Sequence, residues 1–318
     1  MPRIVYHRKY NLGFPGLERL HPFDIRKYGR VWKVLKSQFG TSVSSLHLAP
    51  KRPANFDELQ LVHTADYLSK LQDPLYAARA LEVALVAKMP HWMVDRLVLQ
   101  PMRWATRGTI LAAREALQHG FAVNLAGGYH HAKPNRGEGF SIYSDIGIAI
   151  QWLRQNQQLC PDKRIAYIDT DAHQGNGVCH TFMYDSSVFI FDIFNSQIYP
   201  MMDVEARQRV DCAVPVNAET TDQQYMSELE NRLPGFLDSV QGNPVGLAIY
   251  NAGTDISEFD RLGGLKISAD TIYHRDLFVV GELRRRNIPT VMVLSGGYSK
   301  SSYRLVADSV TGLIKSEL

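Results

Sequence analysis

The stretch Arg164-Ile165-Ala166-Tyr167-Ile168-Asp169-Thr170-Asp171-Ala172-His173-Gln174-Gly175-Asn176-Gly177 decides the reading of this chain. Its first half is a short apolar run that reads as a buried strand. On an extended backbone alternate side chains share a side, so Asp169, Asp171 and His173 are expected to project together at the strand end. Two carboxylates and an imidazole converging there are costly to bury unless something pairs them. A divalent cation does so most simply, and a mixed oxygen and nitrogen ligand set suits zinc. The glycines that follow let the backbone turn away sharply and pass close to a ligand.

Working outward, further apolar or β-branched runs at residues 4–7, 121–125, 188–192, 245–251 and 290–294 read as strands, with 165–169 between them. Amphipathic helical patterns separate them at 107–118, 146–156, 222–239 and 268–286. This alternation predicts an α/β fold of three αβα layers, with a central, mostly parallel sheet covered on both faces. In such sheets function gathers beyond the carboxyl ends of strands. Four glycine-bearing polar loops fall there: Ala126-Gly127-Gly128-Tyr129-His130-His131, the Asp169 to Gly177 segment, Asn251-Ala252-Gly253-Thr254-Asp255 and Ser295-Gly296-Gly297-Tyr298.

The chain has 318 residues, 45% of them hydrophobic, which is enough for a large core in one domain spanning 1–318. Lys and Arg number 35 against 32 Asp and Glu, too even a balance for a nucleic-acid-binding surface. The one basic cluster, Arg284-Arg285-Arg286, reads as a solvated helix face. Cys160, Cys179 and Cys212 lack a CxxC spacing and fit a reducing compartment. No secretory signal pattern opens the chain and no run of 18 apolar residues occurs. The expected compartment is therefore the cytoplasm, or the nucleus in a eukaryote. The Lys315-Ser316-Glu317-Leu318 ending echoes a retention tail only by chance. Oligomeric state is open, and a monomer is compatible with everything in the sequence.

Asp171, His173 and Asp255 together offer one nitrogen and two carboxylates, leaving a coordination position for water or substrate, as catalytic rather than structural zinc sites do. Singly, Asp171 would be a turn cap and His173 a core histidine; the concurrence of the loops argues otherwise. The adjacent His130 and His131 could withdraw a proton from a water and protonate a leaving group. Each needs a partner on its other ring nitrogen, and Asp169 and Asn176 are placed to serve. Tyr298, after two glycines, could polarise a carbonyl and hold an oxyanion. Gly139, Phe140 and Tyr199 would wall a thin apolar channel. As isolated residues each has a bland structural reading. Together they indicate hydrolysis of an unactivated amide.

In this order the motifs resemble the histone deacetylase family of the arginase/deacetylase superfamily, over nearly the whole chain. The resemblance includes Val62-His63-Thr64-Ala65-Asp66-Tyr67-Leu68 and the four loops, and Gly16-Leu17-Glu18-Arg19-Leu20-His21-Pro22-Phe23-Asp24 makes it most similar to class IV, the histone deacetylase 11 type. It implies Asp171, His173 and Asp255 as ligands of one zinc ion, Tyr298 as the transition-state tyrosine and His131 as principal general base and acid. His130 becomes its electrostatic partner, oriented by Asp169. It also implies a structural monovalent cation such as K+ near the Asp169 strand end. Most class I members carry Asp where this chain has Asn176, as class IV does; an amide adds no charge behind His131, which lowers the expected pKa of that imidazole. The implied reaction removes acetyl or longer fatty acyl groups from Nε-acyl-lysine in proteins such as histones, with acyl length left open. Deacetylation of small acetylated amines such as acetylpolyamines is the alternative on the same chemistry. A two-manganese ureohydrolase would need a carboxylate where Gly175 stands, and an inactive acyl-lysine binder would have lost one of these groups.

Overall fold

The computed structural model describes residues 1–12, 24, 26–160, 162–240 and 244–316. The motif segment Gly16 to Phe23 and the terminal pair Glu317 and Leu318 lie outside the described residues. Eight strands among the described residues form one sheet: β1 (Arg3–Val5), β2 (His47–Leu48), β3 (Phe121–Asn124), β4 (Arg164–Asp169), β5 (Val188–Asn195), β6 (Cys212–Val216), β7 (Val245–Asn251) and β8 (Thr290–Val293). Their spatial order is β2-β1-β3-β8-β7-β4-β5-β6, and every pairing is parallel. Parallel strands are apolar on both faces, and here alternate residues feed two cores. Ile165 and Tyr167 of β4 and Leu247 and Ile249 of β7 enter one; Ala166, Ile168, Ala248 and Tyr250 enter the other.

Helices α1 (Lys27–Phe39), α4 (Asp222–Ser239), α5 (Ala269–Arg285) and α6 (Ser302–Lys315) contribute Val31, Leu229, Val279 and Val310 to the second core. On the opposite face α2 (Gln100–His119) and α3 (Asp145–Gln155) supply Ile110, Ala113, Ile146 and Ile150 to the first. The result is a three-layer αβα arrangement. Strand order explains the site. The chain leaves β3, skips two places to β4, runs outward to β6, then returns to fill the gap with β7 and β8. The loops after β3, β8, β7 and β4 thus lie side by side at a topological switch point, where such folds bind ligands.

Two strands have no counterpart in the sequence reading. β2 is two residues long, too short to show a period. β6 contains Pro215, which is tolerated because β6 is the sheet edge and has only β5 as partner. Helix α2 starts at Gln100 rather than 107, with a proline in its first turn. No described helix is long and apolar enough to cross a membrane, and the three cysteines are free thiols.

His63 ties the amino-terminal helical segment to the first core. It is 2% exposed, and its Nε2 accepts from the Ser144 backbone N–H at 2.9 Å, a bond only the ring unprotonated at that nitrogen can make. Burial pushes its pKa down to about 4, against a small opposing pull from the Pro134 and Lys133 backbone. A histidine depressed in the folded state stabilises the fold fully above its unfolded pKa of about 6.5, and loses that contribution as pH falls towards 4. Urea unfolding at pH 7 and pH 4.5 should therefore show wild type losing on the order of 2 kcal/mol more than His63→Gln. Equal losses in both proteins would contradict this.

Candidate metal centre and catalytic loops

The site grows from the end of β4. The strand stops at Asp169, so alternation along an extended chain does not carry Asp171 and His173 into place as expected. The backbone instead curls through two successive Asx hydrogen bonds. Asp171 N donates to Asp169 Oδ1 at 3.0 Å, and His173 N donates to Asp171 Oδ1 at 3.0 Å. This curl turns Asp169 towards the histidine pair and Asp171 and His173 towards Asp255.

Asp171, His173 and Asp255 are buried, with ligand-type atoms all within 4.8 Å of one another. His173 Nδ1 lies 2.8 Å from Asp255 Oδ2 and 3.1 Å from Asp171 Oδ1. The remaining carboxylate oxygens are held by backbone donors: Gly296 N to Asp171 Oδ2 at 2.8 Å and Ala172 N to Asp255 Oδ1 at 2.9 Å. Burial alone would depress the His173 pKa, yet the two carboxylates drive it up to about 10. The pocket thus strongly favours positive charge. Two hard oxygens and a borderline nitrogen, preoriented and buried, fit zinc. Gly296 permits the packing, because a Cβ there would stand 2.5 Å from Asp171 Oδ2 and 2.6 Å from Asp255 Oδ2.

Beside this triad the two histidine rings lie 4.0 Å apart. His130 Nδ1 donates to Asp169 Oδ2 at 2.8 Å, and His131 Nδ1 donates to Asn176 Oδ1 at 2.8 Å. Burial lowers the His130 pKa, but Asp169 and Asp171 outweigh it and the net shift is upward. For His131 burial dominates, reinforced by His130 and His173, and holds it well below the ordinary value. One imidazole is biased towards charge, its neighbour towards neutrality. Tyr298 packs edge-on against His173 and Phe140, at 6.3 and 5.6 Å between centroids. Its loop is anchored by Asp260 Oδ2, which accepts from Tyr298 N at 2.6 Å and Ser299 N at 3.1 Å.

Gly139, Phe140, Tyr199 and Tyr298 line a channel that ends on His131 and His173, with Glu82, Ile198 and Leu262 completing its wall. Gly139 and Phe140 both have positive φ, +53° and +63°. At Gly139 the conformation has a clear cause, since a Cβ would stand 2.4 Å from the His131 ring. A second cavity continues inward past the histidine pair, walled by Leu12, Leu81, Val83, Val98 and Met102.

Several contributors carry no role in the sequence reading. Asn251 Nδ2 donates to Asp169 Oδ1 and Ser295 Oγ, both at 2.9 Å, knitting three loops together. Arg275, wholly buried in α5, donates from Nη1 to the carbonyls of Thr170 (3.1 Å) and Gly253 (2.7 Å). Lys27 of α1 donates to the carbonyls of Ser295 (3.1 Å) and Gly296 (2.8 Å), and burial brings its pKa down to about 8. A cation on the buried stripe of an amphipathic helix is the signal that could have found both. Asp192, flanked by apolar residues within β5, is opposite Asp169 in the ladder. Its Oδ2 accepts from Gly175 N at 2.9 Å, while its buried Oδ1 has no hydrogen-bond partner. Asp169, the carboxylate expected to face a monovalent cation, already accepts from Asp171 N, Asn251 Nδ2, His130 Nδ1 and, at 2.5 Å, the Tyr167 hydroxyl. The open buried oxygen at this place belongs to Asp192.

The sequence profile of the histone deacetylase domain matches residues 21–314. Histone deacetylase 2 of Arabidopsis thaliana is 42% identical over 315 residues, covering 99% of this chain and 79% of the relative. Among solved structures, an acetylpolyamine aminohydrolase from Burkholderia pseudomallei superposes with a TM-score of 0.73 at 17% identity, covering 98% of both chains. A histone deacetylase homologue from Aquifex aeolicus gives 0.72 at 21% identity, covering 98% of this chain and 84% of its own. These two structures share the fold.

If Gly296 is required by the close approach of Asp171 and Asp255, Gly296→Ala should weaken zinc binding about 10- to 100-fold. Competition against a chromophoric chelator measures this; unchanged affinity in a folded variant would contradict it.

Proposed function

The chain belongs to the histone deacetylase family and is a deacetylase-type amide hydrolase; from that premise we propose that it is a zinc-dependent lysine deacylase. Its substrate is Nε-acyl-lysine in a protein or peptide, histones among the candidates, and its catalytic domain spans 1–318. The observation that carries this reading is the aromatic-walled channel between Phe140, Tyr199 and Tyr298, which ends on His131 and on His173 of the buried Asp171, His173 and Asp255 triad. Asn176 and the Asp171-Ala172-His173-Gln174-Gly175-Asn176-Gly177 run support assignment to class IV.

Asp171, His173 and Asp255 would hold the zinc ion, which when bound would supply Lewis acidity to the acyl carbonyl and to water. His131, neutral and oriented through its Nδ1–H, takes the proton of the attacking water at Nε2. The Tyr298 hydroxyl donates to the oxyanion as the carbonyl becomes tetrahedral. His130, anchored on Asp169, supplies positive charge beside it. The C–N bond then breaks, and the imidazolium returns the proton to the lysine amine. Asp192, whose buried Oδ1 has no hydrogen-bond partner, would offer an oxygen to a monovalent cation at this place. The cytoplasm or nucleus is the compartment consistent with the free thiols.

The cavity behind the histidine pair is where an acyl chain longer than acetyl extends. Its walls are largely apolar, with Leu12, Leu81, Val83, Val98 and Met102 beside the rings of Tyr10, Tyr28 and Phe140, and it opens beside His130, His131 and Tyr298. Burying each additional methylene there contributes about 0.8 kcal/mol.

Three outcomes test this reading. Tyr298→Phe should lower kcat on an acyl-lysine peptide by about 100- to 1,000-fold, and near-full turnover would remove the tyrosine from the mechanism. Treatment with a chelator should abolish turnover, with recovery on adding zinc. Val98→Trp should depress turnover of a myristoyl peptide far more than that of an acetyl peptide; equal losses would place the acyl chain elsewhere.

A further inference from the structure

Behind Asn176 lies a cluster that the mechanism above does not use. Asn176 Nδ2 donates to Glu138 Oε1 at 2.7 Å and to Asp203 Oδ2 at 3.0 Å. Both carboxylates are held by buried Lys133, whose Nζ is 2.6 Å from Asp203 Oδ2 and 3.0 Å from Glu138 Oε1. Arg136 Nε reaches Glu138 Oε2 at 2.8 Å, and His180 Nε2 is 3.0 Å from both oxygens of Asp203. Burial would raise both carboxyl pKa values, but Lys133 and Asn176 bring each below its ordinary range, so both stay ionised. Ionised carboxylates only accept hydrogen bonds.

The consequence runs through the amide. With two obligate acceptors on one side, Asn176 can only turn its NH2 outward, and both its hydrogens are then used. Its carbonyl is left facing His131 Nδ1 at 2.8 Å. A carbonyl accepts, so Nδ1 must carry the proton, and in the neutral ring Nε2 then carries the lone pair. Rotating the amide would set its oxygen against two anions and its NH2 against the ring.

We propose that Glu138 and Asp203, clamped by Lys133, are positioning residues that fix the amide of Asn176 and through it the Nδ1–H tautomer of His131. The negative charge that an aspartate at 176 would place directly behind the ring stands one residue further out, and it acts on geometry through a neutral relay. The activity arm of this proposal rests on His131 being the base; the tautomer itself does not.

The relay makes an unusual demand on position 176. In wild type, Asn176→Asp places a third carboxylate against two others, so it should be damaging. In the Glu138→Gln/Asp203→Asn background the repulsion is gone, and an aspartate, which only accepts, should restore the tautomer. The test uses zinc-loaded full-length protein. Imidazole 15N shifts should show His131 as the Nδ1–H form in wild type and as a mixture in Glu138→Gln/Asp203→Asn, with kcat down about 10- to 100-fold and KM little changed. Adding Asn176→Asp to that double variant should recover the tautomer and most of kcat. Thermal melts confirm folding, and Glu138→Gln alone serves if the double variant does not fold. An unchanged tautomer in the carboxylate variants, or Asn176→Asp equally damaging in both backgrounds, overturns the proposal. A tautomer that shifts while kcat stays constant leaves the relay standing and instead removes His131 as base.

Discussion

Two carboxylates and an imidazole are buried within a few ångströms of one another at the ends of β4 and β7, and the surrounding structure is organised around the cost of that arrangement. Isolated buried charge is expensive. Here backbone N–H groups of Ala172 and Gly296 meet the carboxylates directly. Lys27 and Arg275 come from helices on one face of the sheet and seize the carbonyls of the same loops, bringing positive charge within range without entering the pocket. Glycines at 253 and 296 are required because any side chain would strike Asp171. Such a pocket fits the cation proposed for it.

The histidine pair repeats the theme with a difference. His130 and His131 are neighbours in sequence and lie in ring contact, yet their backing differs: a carboxylate fully occupied by four donors for one, a neutral amide for the other. Asp169 and Asp171 bias the first towards protonation, while burial beside His130 and His173 biases the second towards neutrality, the pairing that the proposed charge-stabilising group and base call for.

Much of this was legible in the sequence, and what was not has identifiable reasons. The apolar runs that became β3, β4, β5, β7 and β8 stand out because both faces of a parallel strand are buried. The four glycine-rich loops stand out because they follow those runs directly. β2 and β6 were hidden by brevity and by Pro215. The convergence of Asp169, Asp171 and His173 was expected from alternation, whereas Asx turns set Asp171 and His173 in place; residue spacing alone does not distinguish these routes. Asn251, Asp260, Arg275 and Lys27 went unassigned because their roles depend on contacts across 22 to 268 positions of chain, and for the last two only a cation on the buried stripe of a helix hints at them. Glu138 and Asp203 are the extreme case. Each looks like a surface acid until the fold sets them on either side of one amide.

The claim on which the rest depends is that a single divalent ion occupies the Asp171, His173 and Asp255 pocket. Zinc-edge anomalous diffraction from crystals of the metal-loaded protein tests it most directly. The account predicts one peak within bonding distance of His173 Nδ1 and of a carboxylate oxygen from each aspartate. A peak elsewhere, two peaks in the pocket, or none at full metal loading would contradict it.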